Sequence, residues 1–123
     1  TKAPSGAPMV QPALPAMLEL AVRGLIPLEK VVEKMCHAPA VCFRIDNRVF
    51  IREGYYADLV LVDPDKPWTV SRENVLYKCG WSPLEGTTFR TRVSHTLING
   101  QVVYEEGRFN ESARGMRLRF ERD

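Results

Sequence analysis

The chain has 123 residues, of which 45% are hydrophobic and 26% charged, and its formal net charge at pH 7 is +2. These values are typical of one soluble globular domain. The charges of both signs are interspersed, so no basic stripe predicts a nucleic-acid partner. The apolar runs are far shorter than the roughly 20 residues that cross a bilayer, and the N-terminus lacks a signal-peptide pattern. We therefore predict a cytoplasmic location and no membrane partner.

Two helices are predicted before residue 40. In the first, apolar residues recur at helical spacing over residues 14–25, with Pro15 at a first-turn position and Gly24 where the helix stops. The second helix is predicted to begin at Pro27 and to end before Pro39. Each helix has one apolar stripe, and two stripes cannot form a substantial core alone. The pair must therefore pack on something else.

From residue 40 onward the pattern of the sequence becomes strand-like. Short strands are predicted at residues 49–51, 57–62 and 68–70, followed by a turn or single helical turn at residues 71–74. We accordingly divide the chain into a helical part, residues 1–39, and a β part, residues 40–123.

The clearest local signal is the dipeptide Asn99-Gly100, which lies between apolar segments at residues 92–98 and 101–104. This dipeptide suits a two-residue hairpin turn in which both central residues have positive φ. Residues 116–120 alternate apolar and basic side chains, which predicts an edge strand.

Cysteine and histidine are the residues to consider for metal binding. The three cysteines are odd in number and are not spaced as a disulfide framework, so we predict free thiols. Zinc on Cys36, His37 and Cys42 is an alternative, but a structural zinc site needs four ligands in paired short spacings, and only the isolated Cys79 and His95 remain. We predict surface or packing roles for both histidines and no metal site in this chain.

Three segments of the β part resemble a known superfamily. Residues 51–63, IREGYYADLVLVD, resemble the G-x-I-x-x-G-x-x-A-D-L-V-L-x-D signature near the C-terminus of amidohydrolase-superfamily enzymes, in which Asp58 would satisfy backbone donors at a strand start. Residues 82–86, SPLEG, and the hairpin at residues 93–104 resemble segments of the branch that comprises dihydroorotases, allantoinases and dihydropyrimidinases.

The first eighteen residues narrow the resemblance to the dihydroorotase family. Residues 3–6, APSG, and 13–18, ALPAML, resemble the loop and helix that follow the last barrel strand of these enzymes. Between them stands MVQP, where the family usually has Gly-Leu-Glu-Thr. The chain begins without Met in what reads as an interior loop, so we expect it to be cut from a longer protein.

The resemblance implies an α+β fold: the last loop and helices of a (β/α)8 barrel, followed by a small, mostly β sandwich subdomain. It implies that the parent is a zinc-dependent dihydroorotase, which interconverts N-carbamoyl-aspartate and dihydroorotate in pyrimidine biosynthesis. Two zinc ions would be held by ligands upstream of this chain, which contributes no catalytic residue and is predicted to be inactive alone. The implied partners are the small-molecule substrate and the rest of the catalytic barrel, and a homo-oligomer stays open.

Within this chain, the resemblance assigns substrate binding to Ser5 and Gly6, through backbone groups of their loop. The missing Cβ of Gly6 would permit close approach of the backbone to a ligand. The alternative is that these residues form only a loose terminus.

Other residues that invite a functional reading are given structural roles. Trp68 and Trp81 could stack on a heterocycle but are expected to pack within the β part, and Glu85 is expected to serve a turn or cap. Two alternative functions stay open: a piece of an allantoinase or dihydropyrimidinase-like hydrolase, and a non-catalytic module that binds partners through its exposed helix stripes.

Overall fold

A computed structural model describes residues 6–121 of the chain. The helical elements are α1 (Val10–Val22), α2 (Leu28–Val32), a π-helical segment (Glu33–His37), α3 (Ala38–Cys42) and a 3-10 helix (Arg72–Asn74). The strands are β1 (Leu59–Asp63), β2 (Trp68–Thr69), β3 (Thr88–Phe89), β4 (Arg92–Ile98), β5 (Gln101–Glu105) and β6 (Arg108–Phe109). Within this part of the chain, no helix has the length and apolar character needed to span a membrane.

The strands form two antiparallel sheets. The large sheet has the order β1-β4-β5-β6, and the small sheet pairs β2 with β3. The α-helices and the π-helical segment precede the strands along the chain, and only the short 3-10 helix lies between strands. This mixed arrangement confirms the predicted α+β class.

The hairpin between β4 and β5 is confirmed. Ile98 pairs with Gln101, and the two residues between them, Asn99 and Gly100, have φ angles of 54° and 77°. Positive φ at both central positions is the geometry that an Asn-Gly turn favours. Local turn chemistry therefore fixes the register at this end of the sheet.

Helix α1 begins earlier than predicted. It starts at Val10, so Pro15 lies inside the helix and the prediction of a first-turn proline was wrong. Met9 occupies the N-cap position and provides no side-chain hydrogen bond. The N-cap residue therefore gave no signal for this helix start, although Pro12 lies in its first turn.

The second helical segment continues through Pro39 to Cys42, so the predicted end before Pro39 was wrong. The Ala38 N–H donates to the Glu33 carbonyl, five residues earlier. This turn is wider than an α-helical turn, which accommodates the proline that follows it. The helical segment therefore crosses the proposed division between residues 39 and 40, and that division stays a prediction.

Two of the predicted strands differ from the structure. Residues 49–51 form no strand, because Val49 has a φ of 73° and the segment bends. At the C-terminal tail, pairing is limited to one bridge between Ile45 and Phe120. The edge of the large sheet is formed instead by β6.

The core is small. Helix α1 packs against β3, and the second helical segment contributes two buried residues of its own. The buried hydrophobic side chains are Leu18, Val31, Ala40, Val70 and Phe89. Many large apolar side chains elsewhere are exposed, including those of Leu25, Phe43, Val60 and Leu61.

Candidate functional site

Gly6 opens the described part of the chain, four residues before α1. Its φ is 117°, a conformation that side chains rarely adopt, and a Cβ built on it would meet nothing within 4 Å. The residue is exposed. Glycine is therefore suited to this position by backbone conformation, and its open surroundings leave space beside the main chain. Ser5 lies outside the described residues, so its predicted role stays a prediction.

The first turn of α1 is held by residues from the β part. The Gln11 N–H donates to the phenolic oxygen of Tyr77 at 2.7 Å. The Gln11 side chain also bonds the backbone nearby: its Nε2 donates to the Asn74 carbonyl at 2.8 Å, and its Oε1 accepts from the Leu76 N–H at 2.9 Å. These residues were not identified from the sequence. Gln11 is separated from these partners by 63 to 66 positions along the chain, so no local pattern joins them, and only the departure of residues 9–12 from the family pattern drew attention to this segment.

Glu19 provides a second polar anchor for α1. This buried carboxylate accepts the backbone N–H of Arg90 at 3.1 Å and Nε of Arg23 at 3.0 Å. The Arg90 N–H, and then the Arg23 guanidinium, lower the pKa of Glu19 below its ordinary value. The carboxylate therefore ties the middle of α1 to the residue that follows β3.

A polar network built around the buried Arg48 lies at the end of the large sheet. Arg48 bonds the Asp58 carboxylate and the Asn99 side-chain oxygen, and the Asn99 N–H donates to Asp58 Oδ1 at 2.8 Å. The predicted role of Asp58 as an acceptor for backbone donors is confirmed. Arg48 was missed because its partners are brought together only by the sheet.

The two histidines make separate contacts. His37 stacks on Phe50 with ring centroids 4.5 Å apart. His95 Nε2 lies 3.2 Å from the Glu105 carboxylate, and its Nδ1 lies 3.1 Å from Ser94 Oγ. Each histidine ring thus contacts nearby side chains, and the two sets of contacts are separate.

The described residues do not fit a zinc site. Cys36, Cys42 and Cys79 are free and exposed. Over residues 6–121, no three His, Cys, Asp or Glu side chains converge as metal ligands would. No metal-dependent step is therefore assigned to any of residues 6–121.

Trp68 and Glu85 have structural contacts, as predicted. The Trp68 ring lies against Phe89, with centroids 5.7 Å apart, and its indole N–H donates to the Thr91 carbonyl at 3.0 Å. The Glu85 N–H closes a turn onto the Ser82 carbonyl at 3.2 Å. Trp81 is exposed.

An open groove of about 980 Å³ separates α1 from the large sheet. Gln11 and Pro15 line its helical side. Apolar side chains of the sheet line the other side: Val93, Ile98, Val103 and Phe109. The large sheet and α1 therefore do not form a closed core with each other.

Comparison with known proteins identifies the family to which this chain belongs. The model of the amidohydrolase family matches residues 6–103, and the chain belongs to this family. A dihydroorotase from Pyrococcus furiosus is 37% identical over 93% of the chain, which spans 27% of that relative. An allantoinase from Bacillus velezensis is 37% identical over 74% of the chain and 20% of its own length.

A solved structure agrees with these relatives. The L-hydantoinase (dihydropyrimidinase) from Arthrobacter aurescens superposes with a TM-score of 0.78 and 34% identity, over 89% of this chain and 25% of that one. The chain thus spans about a quarter of the length of these relatives. The resemblance to the amidohydrolase superfamily and its dihydroorotases is confirmed.

Proposed function

We propose that this chain is the C-terminal part of a zinc-dependent dihydroorotase of the cytoplasm. It would supply the last loop and helices of a (β/α)8 barrel and the small β sandwich beside them. The observation that carries the proposal is the 37% identity to a dihydroorotase over 93% of the chain, together with the 27% share of that relative. The parent would interconvert N-carbamoyl-aspartate and dihydroorotate, a step of pyrimidine biosynthesis.

In this proposal, residues outside this chain would hold two zinc ions, whose chemistry would be to polarise the amide carbonyl and to activate water. The chain's own contribution is to bind and orient the substrate. Gly6 presents backbone groups without a side chain in the way, and the anchored helix α1 begins four residues later. A loop that leads into a fixed helix is a favourable place for main-chain hydrogen bonds to a ring.

Two rival substrates have specific support. The allantoinase relative and the L-hydantoinase structure match this chain about as well in percentage identity as the dihydroorotase does. A non-catalytic, partner-binding module is the rival from another class, and the exposed apolar side chains favour it.

The deciding experiment assays the native protein that carries this sequence with dihydroorotate, allantoin and hydantoin, after its intact mass has been measured. We expect a mass near four times that of the chain and turnover of dihydroorotate above the other two. The isolated 123-residue chain, with added zinc, should show no turnover. A native mass near 14.0 kDa would support the partner-binding module instead.

Gly6→Val tests the loop itself. A β-branched residue at a φ of 117° is strained, so we expect the loop to shift and KM for the substrate to rise roughly tenfold. The zinc content should stay unchanged, because in this proposal the zinc ligands lie outside the chain. Gly115→Val is the matched control, since Gly115 also has open space around it but lacks the strained positive φ. Loss of zinc in Gly6→Val would count against a substrate-loop role.

A further inference from the structure

The start of α1 has an unusual cap. The first N–H groups of a helix have no partner within the helix, and a side chain at the N-cap commonly accepts one of them. Met9 cannot do so. The phenolic oxygen of Tyr77 accepts the Gln11 N–H instead, from 66 residues further along the chain.

The Gln11 side chain matches its partners in both hydrogen-bonding senses. Its amide donates to the Asn74 carbonyl and accepts from the Leu76 N–H. A carboxylate could accept from Leu76 but could not donate to Asn74. The glutamine therefore makes one hydrogen bond that a glutamate in its place could not.

The segment that holds Gln11 is itself fixed to the small sheet. Asn74 Nδ2 donates to the Thr69 carbonyl at 2.7 Å, and Asn74 Oδ1 accepts the Ser71 N–H at 3.0 Å. The Val70 N–H donates to the Thr87 carbonyl at 2.9 Å, next to the pairing of β2 with β3. The position of the first turn of α1 is thus set by the β part of the chain.

We infer that Tyr77 and Gln11 are positioning residues for the substrate loop. Only residues 7–9 separate Gly6 from α1, so a change in where the helix begins must change the path of the loop. The inference rests on the proposed substrate-binding role of Gly6. Neither residue needs to contact the substrate, since each acts through the position of the helix start.

The test uses the native protein with the cyclic amide that it hydrolyses. Tyr77→Phe removes only the hydroxyl, and Tyr104→Phe is the matched control, because Tyr104 packs its ring on Phe109. In Tyr77→Phe we expect faster hydrogen exchange at the backbone amides of Gln11 and Ala13 and a KM raised roughly threefold to tenfold, as for one lost hydrogen bond. We expect kcat, zinc content and the Tyr104→Phe control to stay near wild type.

A second pair of variants tests Gln11. Gln11→Ala loses both side-chain hydrogen bonds, whereas Gln11→Glu retains the acceptor for Leu76. We expect KM to rise more in Gln11→Ala than in Gln11→Glu, so that the conservative variant recovers part of the loss. Equal values of KM in the two variants would contradict the assigned hydrogen bonds.

The outcomes separate this inference from the function on which it rests. An unchanged KM in Tyr77→Phe, with a raised KM in Gly6→Val, overturns the positioning role alone. An unchanged KM in Gly6→Val overturns the substrate role of the loop, and with it the positioning role. Unchanged hydrogen exchange in Tyr77→Phe shows that Tyr77 does not set the helix start.

Discussion

The two sheets differ in where they bury side chains. The small sheet has only two strands of two residues, yet Phe89 is 3% exposed and its neighbours Val70 and Thr91 are buried as well. The large sheet has four strands, and no residue of those strands is buried. The number of strands in a sheet therefore does not locate the core of this chain.

The difference comes from the covering layer. Helix α1 packs on the small sheet and is anchored there at Gln11 and Glu19. The large sheet is instead separated from α1 by an open groove. Val60 and Leu61, in its first strand, are also exposed. Exposed apolar surface of this kind is commonly covered by other polypeptide, and both a longer parent and a binding partner would supply it.

Phe89→Ala should have the largest effect. Truncating a buried phenylalanine removes its transfer free energy and leaves a cavity, so we expect the free energy of unfolding to fall by about 3–5 kcal/mol. Phe109→Ala makes the same truncation in the large sheet, where the side chain is exposed, and should cost much less. Urea unfolding of the purified protein measures both. Similar losses of unfolding free energy in the two variants would contradict the conclusion that the core lies at the small sheet.

Arg48→Met should have the next largest effect, this time in the loop beside the end of the large sheet. Arg48 is 4% exposed, and its loss leaves Asp58 and Asn99 without the guanidinium donors. Because Asp58 retains some access to water, we expect a loss of about 2–3 kcal/mol, below that of a fully buried pair. Arg52→Met is the control, since Arg52 is exposed and lies over the rings of Phe50 and Tyr55. If both variants lose the same stability, polar burial does not hold the large sheet.

The smallest change concerns the dependence of stability on pH. The lowered pKa of Glu19 means that its ionised form is favoured in the folded state. Its contribution is fully present above the ordinary value of 4.5 and is lost as the pH falls through the lower folded pKa. The difference in stability between wild type and Glu19→Gln should therefore shrink below pH 4.5. Glu29→Gln removes an exposed carboxylate as the control, and a matching pH profile there would contradict an anchoring role for Glu19.

The features predicted correctly from the sequence are those that neighbouring residues determine. The Asn99-Gly100 hairpin follows from turn chemistry, and the 3-10 helix at Arg72–Asn74 has its own capping box between Ser71 and Asn74. The resemblance to amidohydrolases rests on residues 51–63, whose strand is confirmed as Leu59–Asp63.

The features that were missed depend on distant residues or on unusual backbone geometry. Met9, at the N-cap of α1, accepts no hydrogen bond through its side chain, and the distant Tyr77 accepts one from the Gln11 N–H instead. Nothing around Tyr77 in the sequence indicates this role. Helix propensity rules end the second helix before Pro39, but a π-helical turn allows it to continue. The apolar run at residues 49–51 reads as a strand, but the positive φ of Val49 turns the backbone.

The hydrogen bond from Gln11 to Tyr77 also limits when the first turn of α1 can be capped during protein synthesis. A ribosome adds about 5–20 residues per second, so Tyr77 is joined to the chain roughly 3–13 s after Gln11. Until then the first turn of α1 lacks its acceptor, and the end of the preceding loop is free to fray. The first turn of α1 can therefore gain its cap only after residues 40–77 of the β part have been joined to the chain.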